Sequence, residues 1–171
     1  MAIRHNSDIS NENRYFLEVI DEKFQWNDMS NAIIMNVYCD NLRIEFCDLL
    51  IKFFPKVKKI ITIDKKSVTI NYIKLESTLK EWEGKISKLV SNQCFHQVKD
   101  YKTCFQNVFK LLKPGGGAAI FFVCSPVMQG KLPEMPSTQL TDIMASDYET
   151  MLQEIGFSVI ECRSEAKVHP I

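Results

Sequence analysis

Apolar residues follow two patterns along this chain: short continuous runs, and longer segments where they recur every three or four residues. Continuous runs are typical of strands buried on both faces, and the longer spacing is typical of amphipathic helices. The predicted strands cover residues 32–38, 59–64, 86–91, 118–124 and 157–162. The predicted helices cover residues 11–26, 44–54, 67–82, 101–112 and 148–155.

Strands that alternate with helices predict βαβ units, and hence an α/β fold with a mostly parallel sheet. The Lys-Pro-Gly-Gly-Gly segment at residues 113–117 is predicted to form a turn between a helix and the strand that follows. Ligands of such sheets bind beyond the carboxyl ends of the strands. The turn after Tyr38, the strand end at Asp64 and the segment after Ser91 are therefore the places to look for a site.

Composition narrows the class of protein. Apolar residues make up 46% of the 171 residues and charged residues 25%, as in an ordinary soluble domain. The 21 basic and 21 acidic residues balance, so no net field favours nucleic acid. The first residues lack the apolar core of a signal peptide, and the apolar runs are too short to span a bilayer. We predict a cytoplasmic protein that binds neither nucleic acid nor membrane.

The cysteines and histidines do not form a metal-binding pattern. The six cysteines stand singly, without a Cys-x-x-Cys pair, and mostly within apolar segments. This distribution predicts reduced cysteines that pack as small hydrophobic side chains. The three histidines are far apart in sequence, so no metal site is expected.

Several segments together resemble one known family. Residues 101–123 look like the helix, Leu-Lys-Pro-Gly-Gly turn and strand found late in class I S-adenosylmethionine-dependent methyltransferases. Residues 84–98 and 151–171 resemble the corresponding parts of the insect juvenile hormone acid O-methyltransferases. Residues 32–64 align with the first strand, cofactor loop, helix and second strand of that family.

The resemblance implies a fold and a domain plan. The expected fold is a Rossmann-like, doubly wound, mostly parallel sheet, with the third strand and the substrate cover reduced or missing. The whole chain, 1–171, would be one methyltransferase-like domain. Its parts would be an N-terminal helical segment (1–30), the Rossmann-like core (31–125), and a reduced cover with a C-terminal helix and strands (126–171).

The resemblance also implies a cofactor, a substrate class and a set of site residues. The cofactor would be S-adenosylmethionine, and the substrate a small lipophilic carboxylic acid. His96 would orient the substrate; no catalytic residue is implied, because the sulfonium is already activated and a carboxylate needs no deprotonation. Asp64 would accept hydrogen bonds from both ribose hydroxyls. The cofactor-binding positions would be Asn36, Tyr38, Asp40, Asp64 and Asn92.

The chain departs from the family at its cofactor loop. The family has Asp-Ile-Gly-Cys-Gly-x-Gly, and residues 36–42 here read Asn-Val-Tyr-Cys-Asp-Asn-Leu, so every glycine is lost. Tyr38 would place a phenol ring where the cofactor normally runs, and Leu42 adopts positive φ only at a cost. The family's third strand and its adenine-binding acid, which fall between residues 72 and 84, have no counterpart. These losses predict that cofactor affinity is heavily reduced or absent.

Three functions remain open on the sequence alone. The chain is a working methyltransferase, a non-catalytic descendant that serves as a small-ligand-binding or regulatory protein, or a truncated product without activity. The individual residues also have plainer interpretations. Asp64 is then an exposed acid that caps the next helix, and His96 an ordinary, partly buried histidine. Cys94 is not favoured as a nucleophile, because no base can be named for it.

Overall fold

A computed structural model of the protein describes residues 6–38, 43–64, 80–92, 94–95, 100–121 and 137–163, with only the backbone at 6–10, 38, 43–44, 64 and 137–144. The chain divides into two compact units, one formed by residues 1–99 and 110–123 and the other by residues 100–109 and 124–171. The described elements, in chain order, are α1 (Asn6–Phe24), β1 (Ile33–Tyr38), α2 (Arg43–Phe53), β2 (Lys59–Asp64), β3 (Ile86–Asn92), α3 (Tyr101–Leu111), β4 (Leu112–Phe121) and α4 (Ser137–Ile155).

The first unit is built on a sheet of four strands in the order β2-β1-β3-β4. Every neighbouring pair in this sheet is parallel. The predicted α/β fold with a parallel sheet is therefore confirmed. Because β2 lies on one side of β1 and β3 on the other, the strand order reverses between β1 and β3. Ligands of open α/β sheets bind at the carboxyl end of such a switch point.

One apolar core joins α1, α2 and the sheet. Phe46 of α2 is fully buried, and its ring stacks on Phe16 of α1 with centroids 6.2 Å apart. Ile34 of β1 and Val90 of β3 belong to the same cluster. Ile34 is the register partner of Lys88, and Val90 lies two residues further along β3, so Ile34 and Val90 share a face. Both helices therefore cover the same side of the sheet.

The fourth strand corrects the predicted turn at residues 113–117. The structure has β4 begin at Leu112, so this glycine-rich segment lies within the strand. Ile86 pairs with Leu112 and Lys88 with Gly117, which leaves the residues between them as a bulge. A Cβ at Gly116 would come within 2.8 Å of the Lys113 carbonyl oxygen. The glycines therefore permit a bulge in a continuing strand, instead of a turn that precedes it.

The second unit packs aromatic rings between its two helical segments. Tyr148 of α4 meets Tyr101 of α3 edge to face, with ring centroids 5.4 Å apart. Phe157 meets Phe109 in the same way at 5.0 Å. The α4 helix begins at Ser137, well before the helix predicted from residue 148.

The predicted final strand, residues 157–162, is wrong. The structure assigns no strand there, and the backbone after α4 instead folds back on the helix end. The Phe157 and Gly156 amides both donate to the Leu152 carbonyl, at 3.0 and 3.2 Å. An alternating pattern forms a strand only where a neighbouring strand supplies hydrogen bonds, and none of the described strands pairs with this segment.

Some predictions fall outside the described residues. Most of the predicted helix 67–82 does, although residues 80–82 are helical. The same holds for residues 126–136 of the reduced cover. Between β2 and β3, residues 80–85 contain no strand, so the described part of this connection holds no third strand. Among the described helices, none combines the length and apolar character needed to cross a membrane.

Candidate functional site

The carboxyl edge of the sheet carries buried polar side chains at the switch point. Asn36 of β1 and Ser91 of β3 are fully buried, and Asn92 of β3 is 4% exposed. Asn13 of α1 is also 4% exposed and lies against this edge. Buried polar residues are uncommon in a core of this kind and normally have hydrogen-bond partners. Four such groups at one edge therefore mark a candidate site.

These side chains connect the helices to the strands. The Asn92 Nδ2 donates a hydrogen bond to the Asn13 Oδ1, which links β3 to α1. The Asn36 Nδ2 donates to the Cys47 Sγ at 3.5 Å, which links β1 to α2. The Cys47 Sγ also lies 3.3 Å from the Thr62 Oγ1 of β2. The edge is thus held in place by contacts from both covering helices.

Each of the four buried residues keeps one polar atom without a partner. These atoms are the Asn13 Nδ2, the Asn36 Oδ1, the Ser91 Oγ and the Asn92 Oδ1. A buried polar atom without a hydrogen bond costs about 1–3 kcal/mol. Asn36 and Asn92 lie on the same face as α1 and α2, whereas Ser91 points to the opposite face. A protein retains buried polar groups at this cost in stability where its function requires them.

The structure places the predicted site residues unequally. Asn92 is the last residue of β3, and Asn36 lies two residues before the end of the neighbouring β1. Tyr38 and Asp64 are backbone register partners at the ends of β1 and β2, and their side chains lie outside the described residues. Asp40 and His96 also lie outside them.

Two residues of this edge were missed from the sequence. Asn13 falls on the buried stripe of α1, one helical turn before the fully buried Leu17. The sequence signal for Asn13 was a polar residue at a position where the helical spacing calls for an apolar one. Ser91 was used only as the last residue of a strand, although a polar residue that closes a buried strand at the switch point is itself a signal.

The prediction of reduced cysteines is wrong for Cys94 and for the cysteine bonded to it. Cys94, which follows β3, is disulfide-bonded, and it is 5% exposed. Its sulfur is therefore not a free nucleophile. Cys47, Cys104 and Cys162 are not disulfide-bonded. Cys39 and Cys124 lie outside the described residues. No pairing signal is present in the sequence, because the cysteines stand singly.

The thiol of Cys104 in α3 should be unreactive. Burial, and then the negative charge of Asp100, raises the pKa of Cys104 to about 12. At pH 8 only about one molecule in 10,000 carries the thiolate that reacts. We expect iodoacetamide to modify Cys104 more than about 100-fold more slowly in the folded chain than in urea, read by peptide mass mapping.

The same shift sets the sign of a pH effect on stability. The folded pKa of Cys104 lies above the unfolded value of about 8.5, so its neutral form contributes to stability below that pH. The contribution is lost as the pH rises from there toward 12. The Cys104→Ala variant should therefore lose less stability than the parent chain between pH 8 and 10, measured by urea unfolding.

The described part of the chain contains no cluster of side chains that could hold a metal ion. There, no three side chains of the metal-binding types come together as a potential site.

Fold and site together define a doubly wound α/β protein with a polar switch-point edge. The chain is similar to two solved structures of phosphoethanolamine N-methyltransferase 2 from Haemonchus contortus. One, in complex with S-adenosyl-L-methionine, has a TM-score of 0.50 and 14% identity, and the match covers 86% of this chain and 36% of that chain. The other, in complex with phosphomonomethylethanolamine and S-adenosylhomocysteine, has a TM-score of 0.51 and 13% identity, covering 86% and 37%.

These likenesses show the fold. The chain has the Rossmann-like fold of S-adenosylmethionine-dependent methyltransferases, and it spans little more than a third of the length of the two that it matches. No protein-family model matches the chain, and no curated protein matches it in sequence.

Proposed function

We propose that the chain is a non-catalytic methyltransferase-like protein. Its plan is that of the O-methyltransferases of small lipophilic carboxylic acids which its sequence resembles, and its carboxyl edge serves as a weak small-ligand site. The observation that carries the proposal is the set of buried, unpartnered polar atoms on β1, β3 and α1. They lie where doubly wound folds bind their ligands.

The residues fit the amino-acid end of S-adenosylmethionine. The Asn36 Oδ1 and the Asn92 Oδ1 are unpartnered acceptors on one face of neighbouring strands, and an ammonium group needs acceptors. The unpartnered Asn13 Nδ2 is a donor suited to a carboxylate. When bound, S-adenosylmethionine supplies an already activated methyl group. The chain's own side chains would orient it.

Two features argue against tight binding. Asn36 and Asn92 are buried, Asn36 in contact with Cys47 of α2 and Asn92 with Asn13 of α1. A ligand therefore reaches Asn92 only after its hydrogen bond with Asn13 breaks. The loop sequence after β1 has no glycine, and bulky residues stand where the family's backbone approaches its cofactor closely. Both features lower affinity. Methyl transfer needs a cofactor held in one orientation, so it is lost as well.

Calorimetric titration with S-adenosylmethionine tests the proposal. We expect a dissociation constant above about 1 mM, which corresponds to a binding free energy weaker than about −4 kcal/mol. With radiolabelled cofactor and a sesquiterpenoid or fatty acid, no labelled ester should form. A dissociation constant near 1 µM (about −8 kcal/mol) or a labelled ester would establish the working enzyme instead.

A pair of variants locates the defect. The combined change Tyr38→Gly, Asp40→Gly and Leu42→Gly should tighten binding about tenfold or more, because it restores room beside the loop. Adding Asn36→Leu to that variant should remove the gain, because it deletes an acceptor from the site. If the glycine variant folds and binds no better than the parent chain, the loop is not the cause of the low affinity.

A further inference from the structure

The amino-terminal edge of the sheet, opposite the candidate site, carries a second concave feature. A cleft of about 220 Å³ lies between the segment that precedes β1 and the first residues of β3 and β4. Its polar lining includes Asp28, Asn31, Ser87, Lys88 and Lys113. We refer to it as the Lys88 cleft. Pockets for drug-sized ligands measure about 300–1,000 Å³, so this one suits a smaller molecule.

Lys88 is an unusual residue for its position. It is the one half-buried residue in a strand that is otherwise buried. Its Nζ lies 5.0 Å from the ring centroid of Trp26, and that ring is 5% exposed. No described carboxylate forms an ion pair with it. Lysine charges withdrawn from water normally have such a partner.

The second lysine adds to the positive charge of the cleft. Burial lowers the pKa of Lys88, and the charge of Lys113 lowers it further. Two ammonium groups at one cleft repel each other. An anion between them would reduce this repulsion and give Lys88 the ion-pair partner that none of the described residues supplies. Lysine is a common ligand of phosphate groups, acting as a point charge.

Asp28 contributes a negative charge to the cleft, but its carboxylate is hydrogen-bonded to Ser30 and not to either lysine. Its Oδ1 accepts hydrogen bonds from the Ser30 amide at 3.0 Å and the Ser30 hydroxyl at 2.7 Å. These bonds hold the pKa of the Asp28 carboxyl below its usual value, so it stays charged. The Ser87 Oγ accepts from the Ile33 amide at 3.1 Å, which leaves its hydroxyl hydrogen available as a donor. The lining thus carries two cations, one anion and a hydroxyl donor.

We infer that the Lys88 cleft binds a small phosphate-bearing dianion, of the size of a phosphate monoester, through the ammonium groups of Lys88 and Lys113. This site is separate from the carboxyl edge. Its existence does not depend on the proposed function, because no residue of the cleft belongs to the cofactor edge.

Trp26 gives a direct readout. The chain has two tryptophans, so the Trp82→Phe variant leaves Trp26 as the only one. Titration of this variant with glycerol 3-phosphate, at ionic strength held constant with sodium chloride, should give a saturable change in Trp26 emission. Half-saturation is expected at about 1 mM. Inorganic phosphate is the second probe. Equal half-saturation assigns recognition to the phosphate group alone, and tighter binding of the monoester adds its organic part; either supports the inference.

Substitutions of opposite charge sign make the test specific. On the Trp82→Phe background, Lys88→Met should abolish the response, and Lys113→Gln should raise the half-saturation concentration about tenfold. Asp28→Asn keeps the Ser30 contacts and removes the repelling charge, so it should lower that concentration about threefold. Lys85→Gln is the matched control. The Lys85 side chain donates to the Glu81 carbonyl at 2.6 Å, away from the cleft, and the variant should leave the response unchanged.

The inference is overturned by any of three results. These are a response that does not saturate, an equal response to sodium chloride alone, and Lys113→Gln and Asp28→Asn variants that bind like their parent. If Lys88→Met fails to fold, the last two variants still decide the matter, because they change the half-saturation concentration in opposite directions.

Discussion

The Phe46→Ala variant is expected to lose about 3–5 kcal/mol of the free energy of unfolding, the largest effect of any substitution considered. Phe46 is fully buried, and it joins α2 to Phe16 of α1 and to the core of the sheet. Removing the ring leaves a cavity among residues that cannot collapse into it. For a chain of this length the midpoint of thermal unfolding should fall by about 6–20 °C. Calorimetry or circular dichroism measures both quantities.

Ile51→Ala is the matched control on the same helix. Its side chain is 53% exposed, so the stability should change by no more than about 0.5 kcal/mol. The pair also tests whether the chain is a truncated product that lacks a real core. A broad transition in the parent chain, or equal effects of the two substitutions, would support that alternative. A cooperative transition that only Phe46→Ala weakens supports a folded domain.

Ser91→Ala is expected to stabilise the protein, by about 1 kcal/mol or more. The Ser91 Oγ is fully buried and has no hydrogen-bond partner, so its removal ends a desolvation cost and changes the volume little. A substitution that improves stability at a suspected site is typical of residues kept for function. Urea unfolding of the parent and the variant gives the difference.

Ser87→Ala provides the matched control for this second prediction. Ser87 lies four residues earlier on β3, on the same face and 4% exposed, but its Oγ accepts a hydrogen bond from the Ile33 amide. Removing this acceptor deprives a part-buried N–H group of its partner, and we expect a loss of about 1 kcal/mol. The prediction therefore fails if the two variants change stability in the same direction.

The strands and helices of the first unit could be predicted because burial on both faces leaves a local signature. Continuous apolar runs identified β1 and β2 with almost the observed bounds. Pairing is not local. Residues 157–162 carry a strand-like pattern and form no strand, because the described sheet offers them no partner. The glycines near Gly116 signalled freedom of the backbone, but not that a strand would continue through them.

Strand order alone is enough to predict where two residues of the candidate edge lie. Asn92 ends β3 and Asn36 lies two residues before the end of β1, both beside the switch point, and strand order follows from general rules of topology. Asn13 could not be found in that way. Its role depends on the side of the sheet that α1 covers and on the register of that contact, and neither is encoded in the residues near Asn13. The disulfide of Cys94 could not be predicted either, because the approach of two distant cysteines also depends on the fold and not on the residues near each of them.

The hydrogen bond between Asn92 and Asn13 joins positions 79 residues apart in the chain. During synthesis the first helix leaves the ribosome long before its polar partner exists. At about 5–20 residues per second, the wait is roughly 4–16 seconds. The first helix can therefore complete its contact with β3 only after that strand has been made, although its contact with Phe46 of α2 is available earlier. We expect folding to show a slow final step in which this helix closes over the sheet.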